Sequence, residues 1–164
     1  MPAPARPHGS GPWRALAGFL AVSYGVAALG ALASADAGEV YAALVLPGWA
    51  PPAWLFGPVW TVLYGMMAVA AWLVGRQPDH LHVRRARLWW SVQLTLNLAW
   101  TPLFFAARQF GLALLDIVLL LAALATTVVL FRRLSRTAAL LLVPYLLWVA
   151  FATVLNASIW QLNP

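Results

Sequence analysis

Three tryptophans carry the chemistry open to this chain. Trp60, Trp100 and Trp148 each lie inside a long apolar run, with Pro58, Pro102 and Pro144 beside them. An indole offers a broad apolar face and a single N–H donor. Several such faces gathered inside a bundle form a pocket for a large, flat, apolar ligand. Others of the ten tryptophans sit at the ends of apolar runs, where amphipathic rings anchor a protein at the membrane surface.

The neighbours of these rings follow helical spacing. Tyr64 stands one turn after Trp60, with Met67 a turn further. Gln93, Asn97 and Trp100 fall at i, i+4 and i+7, on one face of a helix. Tyr145, Trp148, Ala152 and Asn156 form a second stripe, in which Ala152 leaves room. Each stripe reads either as a pocket wall or as a packing seam. Buried amides favour contacts between helices, so Gln93 is expected to join helices, whereas Asn97 suits that role and a ligand equally. Asp116 is the only acid inside an apolar run. It is expected to face inward and bond polar groups of other helices. The three proline-bearing runs are expected to bend and to open one end of the bundle.

Conventional acid–base or metal chemistry finds little support. His8, His80 and His82 lie outside the apolar runs, there is no cysteine, and no two acids fall close together within a run. No Ser/His/Asp set or glycine-rich phosphate loop is present, and no metal site is expected.

These residues need a membrane-spanning frame. The chain has 164 residues, 63% hydrophobic and 9% charged, with a mean hydropathy of +0.82. A helix needs about 20 apolar residues to cross the hydrocarbon core. Five segments qualify, giving an all-α polytopic bundle with spans at about 13–34, 54–75, 88–107, 109–131 and 137–160. Residues 1–12, rich in Pro, Gly and Ala, read as a disordered tail. With five spans, one side collects nine of the ten arginines and the other only Arg108. That bias places the amino terminus in the cytoplasm and the carboxyl terminus opposite, in the inner membrane if the source is bacterial. The arginines then face lipid headgroups, and no nucleic-acid motif is present. The 35–53 connection is longer than a turn requires. It holds Asp36, Trp49, Pro51 and Pro52 and no arginine, and reads either as a lid over a pocket mouth or as a surface crossing. Its prolines are expected to exclude helix until Trp54.

Ordered motifs now point to a family. They are Pro47-Gly-Trp-Ala-Pro-Pro-Ala-Trp54, Phe56-Gly-Pro-Val-Trp-Thr-Val-Leu-Tyr64, Gln93-Leu-Thr-Leu-Asn-Leu-Ala-Trp-Thr-Pro102 and Pro144-Tyr-Leu-Leu-Trp-Val-Ala-Phe-Ala-Thr-Val-Leu-Asn156. The chain resembles the tryptophan-rich sensory protein/translocator protein family from Pro47 nearly to the carboxyl terminus. The resemblance implies a five-helix bundle, often a homodimer in the lipid bilayer, with a pocket capped by the first long loop. It implies binding of porphyrin-type tetrapyrroles (protoporphyrin IX or haem) as ligands rather than as obligatory cofactors. It assigns the pocket to Trp60, Trp100 and Trp148, with Asn97, Ala152 and Leu155 nearby. Trp60 and Trp148 match the pair that the family associates with light-dependent porphyrin breakdown, so they are the candidates for any catalytic role. Many members carry Trp where this chain has Leu112, which alters one pocket wall. The fifth-helix sterol consensus, a Tyr followed by Lys or Arg, is absent from Asn156-Ala-Ser-Ile-Trp-Gln161.

Overall fold

Pro12 opens the first helix, because its fixed φ and missing N–H suit the first helical position. Helix α1 runs Pro12–Leu32. The computed structural model describes residues 11–164. Residues 1–10 of the expected tail lie outside the described residues, and Pro12, read from sequence as tail, is helical. A short helix, α2 (Ala37–Ala43), then interrupts the long connection. Beyond it the chain makes a turn in which Ala50 N–H donates to Pro47 O at 2.9 Å, then one 3-10 turn at Ala53–Leu55, which leads into α3 (Phe56–Gly75). Helix α4 (His80–Thr101) ends in a wide π turn, Pro102–Ala106. Helices α5 (Phe110–Leu134) and α6 (Arg136–Leu162) complete the fold, and no strand occurs among the described residues.

Proline chemistry sets the less regular joints. Pro102 lacks the N–H that would continue the α4 ladder. The chain widens there, and Ala107 N–H donates to Pro102 O, five residues back, at 2.8 Å. Arg108 then turns the chain at φ 53°, so the segment expected as one span over 88–107 is a helix plus a π turn. Pro58 is the third residue of α3, where an N–H has no partner within the helix. It therefore breaks no bond of α3, contrary to the expected bend. Pro144 does lie inside its helix.

The long helices form a closed ring in the order α1, α3, α6, α5, α4, each packed on the next. Ring neighbours run antiparallel except α1 and α4, which run parallel and close the ring. At one end Trp13 stacks on Trp72 at 6.3 Å and Arg87 lies over the Phe19 ring at 5.4 Å. At the other, the Tyr24 hydroxyl donates to Thr61 O at 3.0 Å and Asn156 Nδ2 to Phe110 O at 2.9 Å. Gly65 permits this close approach, since a Cβ there would lie 3.0 Å from the Tyr24 hydroxyl. The main core surrounds Met67, Leu120 and Tyr145, and a second cluster around Tyr41, Phe104 and Ile159 lies under the loop. Large apolar side chains such as Val62, Leu119, Leu147 and Val154 face outward, as they do in a hydrocarbon solvent.

Four helical segments are long and apolar enough to cross a membrane: Trp13–Leu32, Ala53–Gly75, Phe110–Leu134 and Arg136–Leu162. Sequence reading expected five. Helix α4 matches the others in length but carries Arg84, Arg85 and Arg87 in its first turns and buries Gln93 and Asn97, which lowers its hydropathy.

Candidate functional site: an indole-lined cavity

A cavity of about 500 Å³ opens between α1, α2, α3, α4 and α6. Helix α3 supplies Trp60 and Tyr64, α4 supplies Asn97 and Trp100, and α6 supplies Trp148 and Ala152. Three indoles from three helices thus share one hollow. The heptad-like spacing within each run places them there, because i, i+3, i+4 and i+7 fall on one helical face.

Two polar bridges hold the walls. Tyr64 OH donates to Asn97 Oδ1 at 2.5 Å, and Asn97 Nδ2 donates to Tyr145 OH at 3.0 Å, linking α3, α4 and α6. Trp100 Nε1 donates to Asn156 Oδ1 at 3.0 Å, and Asn156 Nδ2 donates to Phe110 O, linking α4, α6 and α5. Asn97 is thereby committed on both amide atoms to neighbouring helices. The tryptophans differ in how they are held. Trp100 is tethered through its N–H and stacks on Phe104 at 5.0 Å. Trp148 Nε1 has no hydrogen-bond partner, and the ring packs on Phe56 at 5.8 Å and Phe151 at 5.5 Å. Trp60 lies 5.6 Å from Tyr64 and 5.9 Å from Tyr145.

Other expected residues stand elsewhere. Tyr145 is buried behind Trp60 and supports the wall without lining it. Leu155 is buried in the second cluster beneath the loop. Asn156 braces helices rather than facing the hollow. Leu112 is not at this cavity: it is 55% exposed and borders a surface groove with Arg108 and Trp160. Helix α5 buries Ala113, Asp116, Ile117 and Leu120, so the turn geometry directs Leu112 outward. Gln93, expected to join helices, donates through Nε2 to Met67 Sδ of α3 at 3.9 Å and also to Trp90 O of its own helix at 2.9 Å. Asp116 faces inward as expected, but its Oδ2 has no hydrogen-bond partner.

The loop lines the cavity through residues that sequence reasoning did not single out. Ala35, Gly38 and Tyr41 line the hollow, and Tyr41 OH donates to Pro51 O at 2.9 Å. Burial pushes the Tyr41 hydroxyl above its usual range, which keeps this donor protonated. Trp49 packs edge-on against Phe151 of α6 at 5.7 Å, and Pro52 is exposed. Asp36 faces an adjoining hollow of about 600 Å³ with Glu39 and Arg108. Helix α1 also contributes a wall through Ala27 and Ala31, continued by Ser34 just past its end, at i, i+4 and i+7. That small-residue spacing was the available signal for it.

Among the described residues, no aspartate, glutamate, histidine or arginine lines the main cavity. No group of three His, Asp or Glu converges among the described residues. The hollow can bury flat apolar surface and offer scattered hydroxyl and amide contacts.

Comparison with known proteins agrees with this architecture. The TspO/MBR family model matches residues 19–161. The chain belongs to the TspO/MBR family. It is 46% identical over 125 residues to the tryptophan-rich protein TspO of Chlorobaculum tepidum, covering 76% of this chain and 79% of that one. It is 40% identical over 155 residues to the human translocator protein, covering 93% and 92%. The tryptophan-rich sensory protein of Cereibacter sphaeroides is 36% identical over 151 residues, covering 92% of each. The TspO/MBR assignment makes the chain a membrane protein, in keeping with its apolar helices and outward-facing aliphatic surface.

Proposed function

We propose that this TspO/MBR protein binds porphyrin-type tetrapyrroles, protoporphyrin IX or haem, in the indole-lined cavity, and serves to sense, transport or regulate them. One observation carries the reading: Trp60, Trp100 and Trp148 border a single hollow of about 500 Å³ that no charged side chain lines among the described residues. A volume between roughly 300 and 1,000 Å³ suits an organic ligand. Stacking on the indoles and burial of the macrocycle supply affinity, while α2 and the proline segment regulate entry. Relatives named translocator protein and sensory protein are consistent with such roles.

The same proposal sets the chain in the membrane as five spans. Helix α4 has 22 residues, about 33 Å at the α-helical rise, and turns its amides inward. Eight arginines, Arg14, Arg76, Arg84, Arg85, Arg87, Arg132, Arg133 and Arg136, gather at one end and Arg108 at the other. That end is cytoplasmic by the positive-inside bias, in the inner membrane of a bacterial source, with a homodimer as the working unit.

Titration of the purified protein with protoporphyrin IX is expected to quench tryptophan fluorescence with a saturable midpoint. Trp148→Ala weakens binding roughly tenfold or more, the scale of a lost aromatic anchor. An unchanged midpoint in that variant argues against the assigned cavity. A second reading, oxidative breakdown of the porphyrin by light and dioxygen, draws on the Trp60–Tyr64–Tyr145 cluster, whose rings lie within 6 Å of Trp60. Loss of porphyrin absorbance on illumination, with turnover and with dependence on both Trp60 and Trp148, favours that reading.

A further inference from the structure

The arginine-rich end of the bundle carries a groove between α4 and α5 that is separate from the indole-lined cavity. It encloses about 370 Å³ and is lined by Arg85 of α4 and by Ala125, Thr126, Val129, Leu130 and Arg133 of α5. Ala125, Val129 and Arg133 follow one another at i, i+4 and i+8, a single stripe on α5. The eight helical steps from Ala125 to Arg133 cover about 12 Å along the axis. The stripe is apolar toward the middle of the helix and cationic in its last turn, where Arg85 faces it from the start of α4. Val129 is 53% exposed, so no protein group covers the apolar floor.

The two guanidinium groups have no acidic partner. Among the described residues the one ion pair joins His82 to Asp79, the only acid at that end. Arg76 and Arg87 lie instead over the rings of Trp72 and Phe19. Arg85 and Arg133 thus present two unneutralised forks at the mouth of an apolar channel. A guanidinium binds phosphate oxygens bidentately. A free anion satisfies the forks but leaves the apolar floor bare. A zwitterionic lipid fills the floor but brings its own cation to the arginines.

We propose that this groove holds one anionic phospholipid, with its phosphate between Arg85 and Arg133 and an acyl chain along Ala125 and Val129. The polarity order along the groove is that of the lipid itself, head outward and tail inward. Such a molecule ties the end of α5 to the start of α4, which the protein joins there by no ion pair. The proposal stands independently of what the indole-lined cavity binds.

Native mass spectrometry of the purified protein titrated with phosphatidylglycerol tests it, with phosphatidylcholine of the same chains and inorganic phosphate as comparators. One phosphatidylglycerol is expected to be retained, about tenfold more tightly than phosphatidylcholine. Arg85→Gln with Arg133→Gln reduces that preference to the phosphatidylcholine level. Arg84→Gln with Arg132→Gln, an equal change of charge, leaves it within about twofold. Val129→Trp, which fills the channel and keeps both arginines, also weakens retention, so the proposal remains testable if the double variant fails to fold. Equal losses in the two double variants indicate a diffuse basic surface and overturn the site. Competition by inorganic phosphate at the lipid's own concentrations assigns the arginines to a free anion and overturns the lipid.

Discussion

Trp100 and Trp148 border the same hollow but depend on different forces. Trp100 donates to Asn156 Oδ1, and Asn156 is 1% exposed. Removing that donor leaves a buried amide oxygen unsatisfied, at a cost of about 1–3 kcal/mol. Trp148 holds its place through ring contacts with Phe56 and Phe151, which a phenyl ring partly retains. Trp100→Phe is therefore expected to lower the thermal unfolding midpoint in detergent clearly more than Trp148→Phe. An equal drop in both argues that ring volume, not the N–H, governs the site. The two indoles are therefore held differently, one by its N–H and the other by ring packing alone. Sequence alone grouped the two, because their residue type and setting beside a proline are the same.

At the scale of the element, α4 needs its amino-terminal cap because its first turns are crowded with arginine. Asp79 accepts from His82 N–H at 3.2 Å and pairs with His82 Nδ1 at 2.6 Å. The His82 backbone N–H is the largest influence holding the Asp79 carboxyl below its ordinary 3.8, and the His82 side chain adds to it. A carboxyl depressed in the folded state stabilises above its unfolded pKa and loses that contribution as pH falls through the folded value. Hydrogen exchange at the first turn of α4 should thus rise, relative to the intrinsic rate, as pH drops below 3.8. Asp79→Asn keeps the cap and removes the dependence. If the wild-type turn shows no acid-linked opening, the cap is not what secures it. The sequence reading began this span at about residue 88 and missed the capped start at His80, because the arginines of the first turns lower the local hydropathy. The π turn after Pro102 was not legible either, since proline predicts a break without specifying its form.

For the whole molecule, the loop that lines the cavity is anchored from a distance. Asn163 Oδ1 accepts from Val45 N–H at 3.0 Å and Asn163 Nδ2 donates to Val45 O at 3.0 Å, joining the loop to the end of α6. Tyr41 and Trp49 add contacts to Pro51 and Phe151. Asn163→Ala removes both bonds to Val45, so exchange at the Val45 amide is expected to rise roughly fivefold or more, the equivalent of about one net hydrogen bond. Protease cutting in the loop should rise with it. Unchanged exchange indicates that Tyr41 and Trp49 hold the loop by themselves.

Long apolar runs, arginine placement and periodic tryptophans were legible along the chain because each is a local or nearly local property. They specified an all-helical membrane protein and put Trp60, Trp100 and Trp148 on defined helical faces. The order of the ring, and hence which faces meet, is a matter of packing between distant segments. Packing alone turned Leu112 outward, set Tyr145 behind Trp60, and brought Ala27 and Tyr41 to the cavity from helices whose sequence signals were weak. Hydropathy records how favourably a side chain leaves water, whereas a shared hollow depends on where five separate helix axes come to rest.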